Sequence, residues 1–115
     1  MTDGVHWQGM DPRGFPIRLK SSTWYEKILA TPDRPWLADH LDKVQRTAEA
    51  PEVILEDRAT AKREAYVRLW PFPEHSHLMT LVVIAEVTPS HRDIVTVIPK
   101  RSLKQETGGM LYVRP

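Results

Sequence analysis

Residues 78–87 read Leu78-Met79-Thr80-Leu81-Val82-Val83-Ile84-Ala85-Glu86-Val87. The run is dense in β-branched and aliphatic side chains and holds no glycine or proline. It is the most strand-like stretch of the chain. Working outward, Tyr66–Phe72 reads as a strand stopped by Pro71 and Pro73, and Glu74-His75-Ser76-His77 reads as the turn between the two. Beyond Pro89-Ser90-His91, Ile94–Ile98 is a further strand closed by Pro99. Val53-Ile54-Leu55 precedes them across a charged link, residues 56–64, and Met110–Val113 is a short fifth candidate. Links this short favour antiparallel neighbours, because a parallel pair needs a crossover of a dozen or more residues.

Upstream the period changes to that of a helix. Thr23-Trp24-Tyr25-Glu26 has the form of a capping box, and Thr31-Pro32 stops the helix it starts. Thr31 caps a second start, with Pro35 in its first turn. Leu37, Leu41, Val44 and Ala48 then form an apolar stripe that ends near Glu49, with His40 beside it. Residues 1–20 carry Gly4, Gly9, Pro12, Gly14 and Pro16 among Trp7, Met10, Phe15, Ile17 and Leu19. They read as a surface arm that packs on the domain or on a partner. The predicted fold is α+β: N-terminal helices packed on one face of a four-stranded antiparallel sheet, five-stranded if Met110–Val113 joins. Residues 1–20 are the arm and 21–115 the single domain.

Composition narrows the chemistry. The 115 residues suit one domain, and 41% hydrophobic with 27% charged residues is ordinary globular composition. The absence of cysteine excludes disulfides, thiolate-zinc sites and thiol nucleophiles. A net charge of +1 lacks the basic excess of a typical DNA-binding domain, although residues 92–115 hold five basic and two acidic side chains. The longest apolar run is too short to span a bilayer, so the expectation is a soluble, cytoplasmic chain without a membrane partner.

Tyr66, Arg68, Trp70 and Phe72 alternate and so share one sheet face. A cation between aromatic rings is how open RNA-binding sheets stack bases and hold phosphate. The same pattern equally makes an aromatic core face with Arg68 against a carboxylate. Thr96 is the polar exception in its strand, and Lys100 and Arg101 leave that strand where they could reach a phosphate. His75 and His77, at spacing two without cysteines, are a weak zinc signal and read better as a solvated turn. No phosphate-loop or dinucleotide glycine pattern is present.

The stretch from Trp24 to Lys100 resembles the phage-associated branch of the barnase/EndoU/colicin-RNase/RelE-like nuclease superfamily. The matching features are the Trp24-led helix with Ile28-Leu29, then Thr31-Pro32, Ala50-Pro51-Glu52, Asp57, Tyr66-Val67-Arg68, Leu81-Val82-Val83-Ile84 and Thr96. The resemblance implies helices on a four-stranded antiparallel sheet and metal-independent endoribonuclease activity with no cofactor. In that chemistry the ribose 2′-OH attacks its own phosphate while an acid and a base move protons and a cation stabilises the developing charge. Arg68 would be the charge stabiliser, Tyr66 would stack or donate to phosphate, and Thr96 would orient an oxygen. Thr31, Trp70, Lys100 and Arg101 would contact the strand. The family carries a histidine directly before the proline after the first helix, where this chain has Thr31. A hydroxyl has no pKa near neutrality. Either His40 or His91 therefore takes the proton-transfer role, or the protein binds RNA without cutting it. RNA is the expected partner, with an inhibitory or scaffold protein as a further one, and the oligomeric state is open. The competing expectation is a non-enzymatic protein-interaction domain that uses Tyr66, Trp70, Phe72 and the arm.

Overall fold

The computed structural model describes residues 4–32, 34–57, 60, 62–73, 78–100 and 107–115. The His75 and His77 turn and Arg101 lie outside these residues. Seven strands form one sheet: β1 Val5–Met10, β2 Pro16–Lys20, β3 Val53–Asp57, β4 Arg63–Pro71, β5 Leu78–Val87, β6 Arg92–Lys100 and β7 Thr107–Val113. Their order across the sheet is β1-β2-β6-β5-β4-β3-β7. Strands β3 to β6 are antiparallel neighbours, as the short links require. The pair β2–β6 is parallel, matched at Ile17↔Arg92 and Arg18↔Asp93.

This corrects the predicted fold. The sheet is mixed and seven-stranded, not a four- or five-stranded antiparallel sheet. The predicted pair of helices reduces to one substantial helix, a 3-10 turn Pro35–His40 that runs into α1, Leu41–Glu49. The capping box does not form. Thr23 is buried inside a single π-helical segment, Thr23–Ile28, whose N-cap is Ser22 without a side-chain cap bond. Six residues before Thr31-Pro32 leave no length for a regular helix, and isolated short helices are marginal in water.

The largest departure is residues 5–20. Glycines and prolines made them look irregular, yet they place a hairpin. Asp11 N–H donates to the Phe15 carbonyl and Gly14 N–H to the Asp11 carbonyl, which closes a tight turn. Gly14 takes φ +90° there, a conformation that costs other residues strain. Gly9 lies under the Trp7 indole, where a Cβ would sit 2.4 Å from a ring carbon. Pro16 is the first residue of β2, a position that tolerates a missing donor.

The helical segments cover one face of the sheet. Leu37, Val44 and Ala48 have no exposure, and they pack with Ile17, Leu19, Trp24, Ile28, Ile54, Tyr66, Leu81, Val83 and Val97. The other face carries a second apolar cluster of Leu55, Ala65, Val67, Val82 and Ile84. It continues outward to Leu69, Leu78, Met110 and Val113, which are exposed. Leu81→Ala, at a fully buried position, is expected to cost about 2–5 kcal/mol. Leu69→Ala, 45% exposed, should stay within about 0.5 kcal/mol. Urea unfolding followed by tryptophan fluorescence separates the two, and equal losses would contradict this division of the faces.

Candidate functional site

The covered face of β4 presents Glu64, Tyr66, Arg68 and Trp70 in line, with Phe72 just past its end, and the two halves of that line differ chemically. At the Glu64 end the hairpin turn closes over the strand. Arg13 donates to both Glu64 oxygens, Nη1 at 3.2 Å and Nη2 at 2.7 Å. Its Nη2 also donates to Asp11 Oδ2 at 2.8 Å. Arg92 Nε donates to Glu64 Oε1 at 3.0 Å. The Tyr66 hydroxyl donates to Asp11 Oδ2 at 2.8 Å. Phe15 lies beneath the Arg92 guanidinium, 4.0 Å from ring centre to carbon. Two guanidiniums thus face two carboxylates, and every charge is matched.

Burial pushes the Asp11 and Glu64 carboxyls up, but the hydrogen bonds from Arg13, with Tyr66 on Asp11 and Arg92 on Glu64, outweigh it. Both carboxyls are held below the usual carboxylate range. Burial, and then Asp11, pushes the Tyr66 phenol well above its ordinary value, so it stays a neutral donor. Tyr66 has no exposure at all. Its ring is core and its hydroxyl is spent on Asp11, so in this arrangement it presents no surface to a base or phosphate. This end is a clip that fastens the hairpin to the sheet.

The other end is a strip of cations and rings. Arg68 Nη1 donates to the Ala50 carbonyl at 3.0 Å, and its guanidinium lies 4.3 Å from the Trp70 ring centre. Trp70 Nε1 donates to Thr47 Oγ1 at 2.8 Å, and that hydroxyl donates to the Lys43 carbonyl. The Lys43 ammonium sits 6.0 Å from the Trp70 ring centre and 5.7 Å from that of Phe72. It donates to His40 Nδ1 at 3.2 Å. His40 is 6% exposed and wedged edge-on between Trp36 and Phe72. Trp36, His40, Lys43 and Thr47 recur at helical spacing and lie over Trp70 and Phe72.

The structure therefore brings together Arg68, Trp70 and His40 and adds Trp36, Lys43 and Thr47, which the sequence reading missed. A signal for them existed: positions 36, 40, 43 and 47 are the apolar stripe 37, 41, 44 and 48 displaced by one residue. Thr96 and Lys100 are not brought to the strip. Thr96 pairs with Ile84 and Lys100 with Thr80, which puts both on the opposite sheet face beside Ile98. Thr31 donates its hydroxyl to the Lys27 carbonyl in the link before the 3-10 turn. His91 lies in the β5–β6 turn, its Nδ1 beside the Thr88 and Ser90 hydroxyls, at the Glu64 end of the sheet. Among the described residues no group of three or more His, Asp or Glu is placed to hold a metal ion.

The clip makes a pH prediction. Its carboxyls have depressed pKa values, so the unfolded chain binds more protons below their unfolded values of 3.8 and 4.5. Stability is full above about pH 5 and falls as the pH drops through the acid range. Glu64→Gln should flatten that fall, and an identical acid slope in wild type and variant would remove Glu64 from the linkage. Arg13→Ala leaves the buried Asp11 carboxylate without its cation, while Glu64 keeps Arg92, and should cost about 3 kcal/mol at neutral pH. Urea unfolding across pH reads both effects.

Comparison of the chain with protein-family models, with curated proteins and with solved structures gives no match.

Proposed function

We propose that this chain acts on RNA at the Lys43–Arg68–Trp70 strip, as a small metal-independent endoribonuclease of the kind its sequence resembles. The observation that carries the RNA part is the Arg68 guanidinium held 4.3 Å from the Trp70 ring, with Lys43 at the same ring. Arg68 and Trp70 are both half-exposed, and among the described residues neither Arg68 nor Lys43 has an ion-pair partner. A cation beside an aromatic ring suits a phosphate next to an unstacked base. The Arg68 fork matches phosphate oxygens and would stabilise charge developing there.

The cleavage part rests on the resemblance. Of the two histidines able to stand in for the missing one, His40 adjoins the strip through Lys43, whereas His91 is at the far end of the sheet. The protein-interaction reading has less support, since Tyr66 and Phe72 are interior and residues 5–10 and 16–20 are strands of the sheet. Among the described residues no helix is long and apolar enough to cross a membrane. An RNA ligand accords with a cytoplasmic location.

The test is digestion of total RNA by purified protein in EDTA. Wild type should cut, and Arg68→Ala should cut about 100-fold more slowly, the usual scale for losing one charge-stabilising donor. Equal rates would remove Arg68 from the chemistry. Binding without cutting would reduce the function to RNA recognition, and neither binding nor cutting would overturn the proposal.

A further inference from the structure

The end of β7 and the last turn of α1 bring the backbones of two more arginines, Arg114 and Arg46, close to Arg68, and both their charges act on its guanidinium. Ala50, whose carbonyl accepts from Arg68, donates its own N–H to the Arg46 carbonyl at 2.7 Å. Arg68 is therefore tethered to the last turn of α1, from which exposed Arg46 projects. On the other side, Arg114 N–H donates to the Glu52 carbonyl and Glu52 N–H to the Val67 carbonyl, both at 2.8 Å. The backbone of Arg114 is thereby fixed one strand away from that of Arg68. Tyr112 pairs with Ile54, which pairs with Tyr66, so the alternation turns Arg114 toward the face that carries Arg68.

Glu52 is the carboxylate whose charge acts on Arg68, and its Oε1 already accepts the Leu69 N–H at 2.6 Å. No ion pair joins Arg46, Arg68 or Arg114 to a carboxylate among the described residues. Burial, Arg114 and Arg46 together hold the Arg68 guanidinium below its ordinary pKa, against a smaller opposing effect of Glu52. Mutually repelling cations on a half-open surface are relieved by an anion that bridges them.

We propose that Arg46, Arg68 and Arg114 form one phosphate seat, which takes a phosphodiester of single-stranded RNA whose adjoining base stacks at Trp70. The ligand class rests on the RNA reading above. Three guanidinium forks surround a tetrahedral anion as a single ammonium cannot. A base reaches Trp70 only from an unpaired strand, since a duplex keeps its bases stacked inside. The β7 edge is then part of the site, because it carries Arg114 to it.

Two probes test the seat on the full chain. The first is a fluorescein-labelled oligouridylate, with anisotropy read between about 50 and 200 mM salt. Arg46→Gln and Arg114→Gln should each weaken binding several-fold and lower the salt slope by about 0.7, the value for one phosphate contact on a single strand. Arg18→Gln, on β2, should leave both unchanged. The second probe is inorganic tripolyphosphate in titration calorimetry, where each seat variant should lose heat. Melting temperatures serve as the folding control, and both substituted residues are exposed. RNA binding with unaltered slopes and unaltered tripolyphosphate heats would overturn the seat and leave the RNA reading standing. Tripolyphosphate held through Arg46 and Arg114 without RNA binding would overturn the RNA ligand. Failure of both probes would overturn both.

Discussion

A carboxylate taken out of water costs several kcal/mol unless a hydrogen-bonded cation meets it. Glu64 and Asp11 are such carboxylates, and Arg13 and Arg92 meet them. The bonds run between the hairpin turn, β4 and β6, so they tie the β1–β2 hairpin to strands far along the chain. With the turn held there, β2 lies against β6 in parallel and the sheet reaches seven strands. Arg92 both pairs with Ile17 in the ladder and donates to Glu64, so backbone register and side-chain charge support one arrangement.

One alternating face of β4 thus serves two ends. At Glu64 and Tyr66 the charges balance and the polar atoms are consumed, which leaves a rigid and chemically quiet junction. At Arg68 and Trp70 the neighbours are Lys43, Arg46 and Arg114, with Glu52 partly committed to a backbone N–H. Positive charge and ring surface remain available there. The helix supplies the difference, since Trp36, His40, Lys43 and Thr47 lie along the side of α1 and its leading turn next to the buried stripe.

Much of the local structure was legible. The run 78–87 is a strand over its quoted bounds, and the stripe Leu37, Leu41, Val44 and Ala48 is the side of the helical segment turned to the core. The shared face of Tyr66, Arg68 and Trp70 follows from alternation alone. The hairpin escaped notice because Gly9, Pro12, Gly14 and Pro16 carry the signature of irregular chain, and only contacts with Glu64 and β6 show what they position. The resemblance joins Thr96 to Arg68, whereas the β5–β6 register puts the sheet between them. That register contains a bulge between Ile84 and Ala85, which shifts the facing of β6 by one residue and leaves no trace in composition.

The sequence by itself determined the periodicities: where the chain alternates, where it turns at helical spacing, and which side chains are therefore collinear. Local sterics and apolar patterning act over a few residues, so a single segment carries that information. Tertiary structure alone decided which collinear group is buried and which is open. Tyr66 and Arg68 are two residues apart on one face, yet Tyr66 is sealed by Asp11 and Arg13 from 53 or more positions upstream. Arg68 instead feels the charge of Arg114, whose backbone is held beside Glu52 just past β7. Charge compensation depends on distance in space, and the sheet order sets those distances.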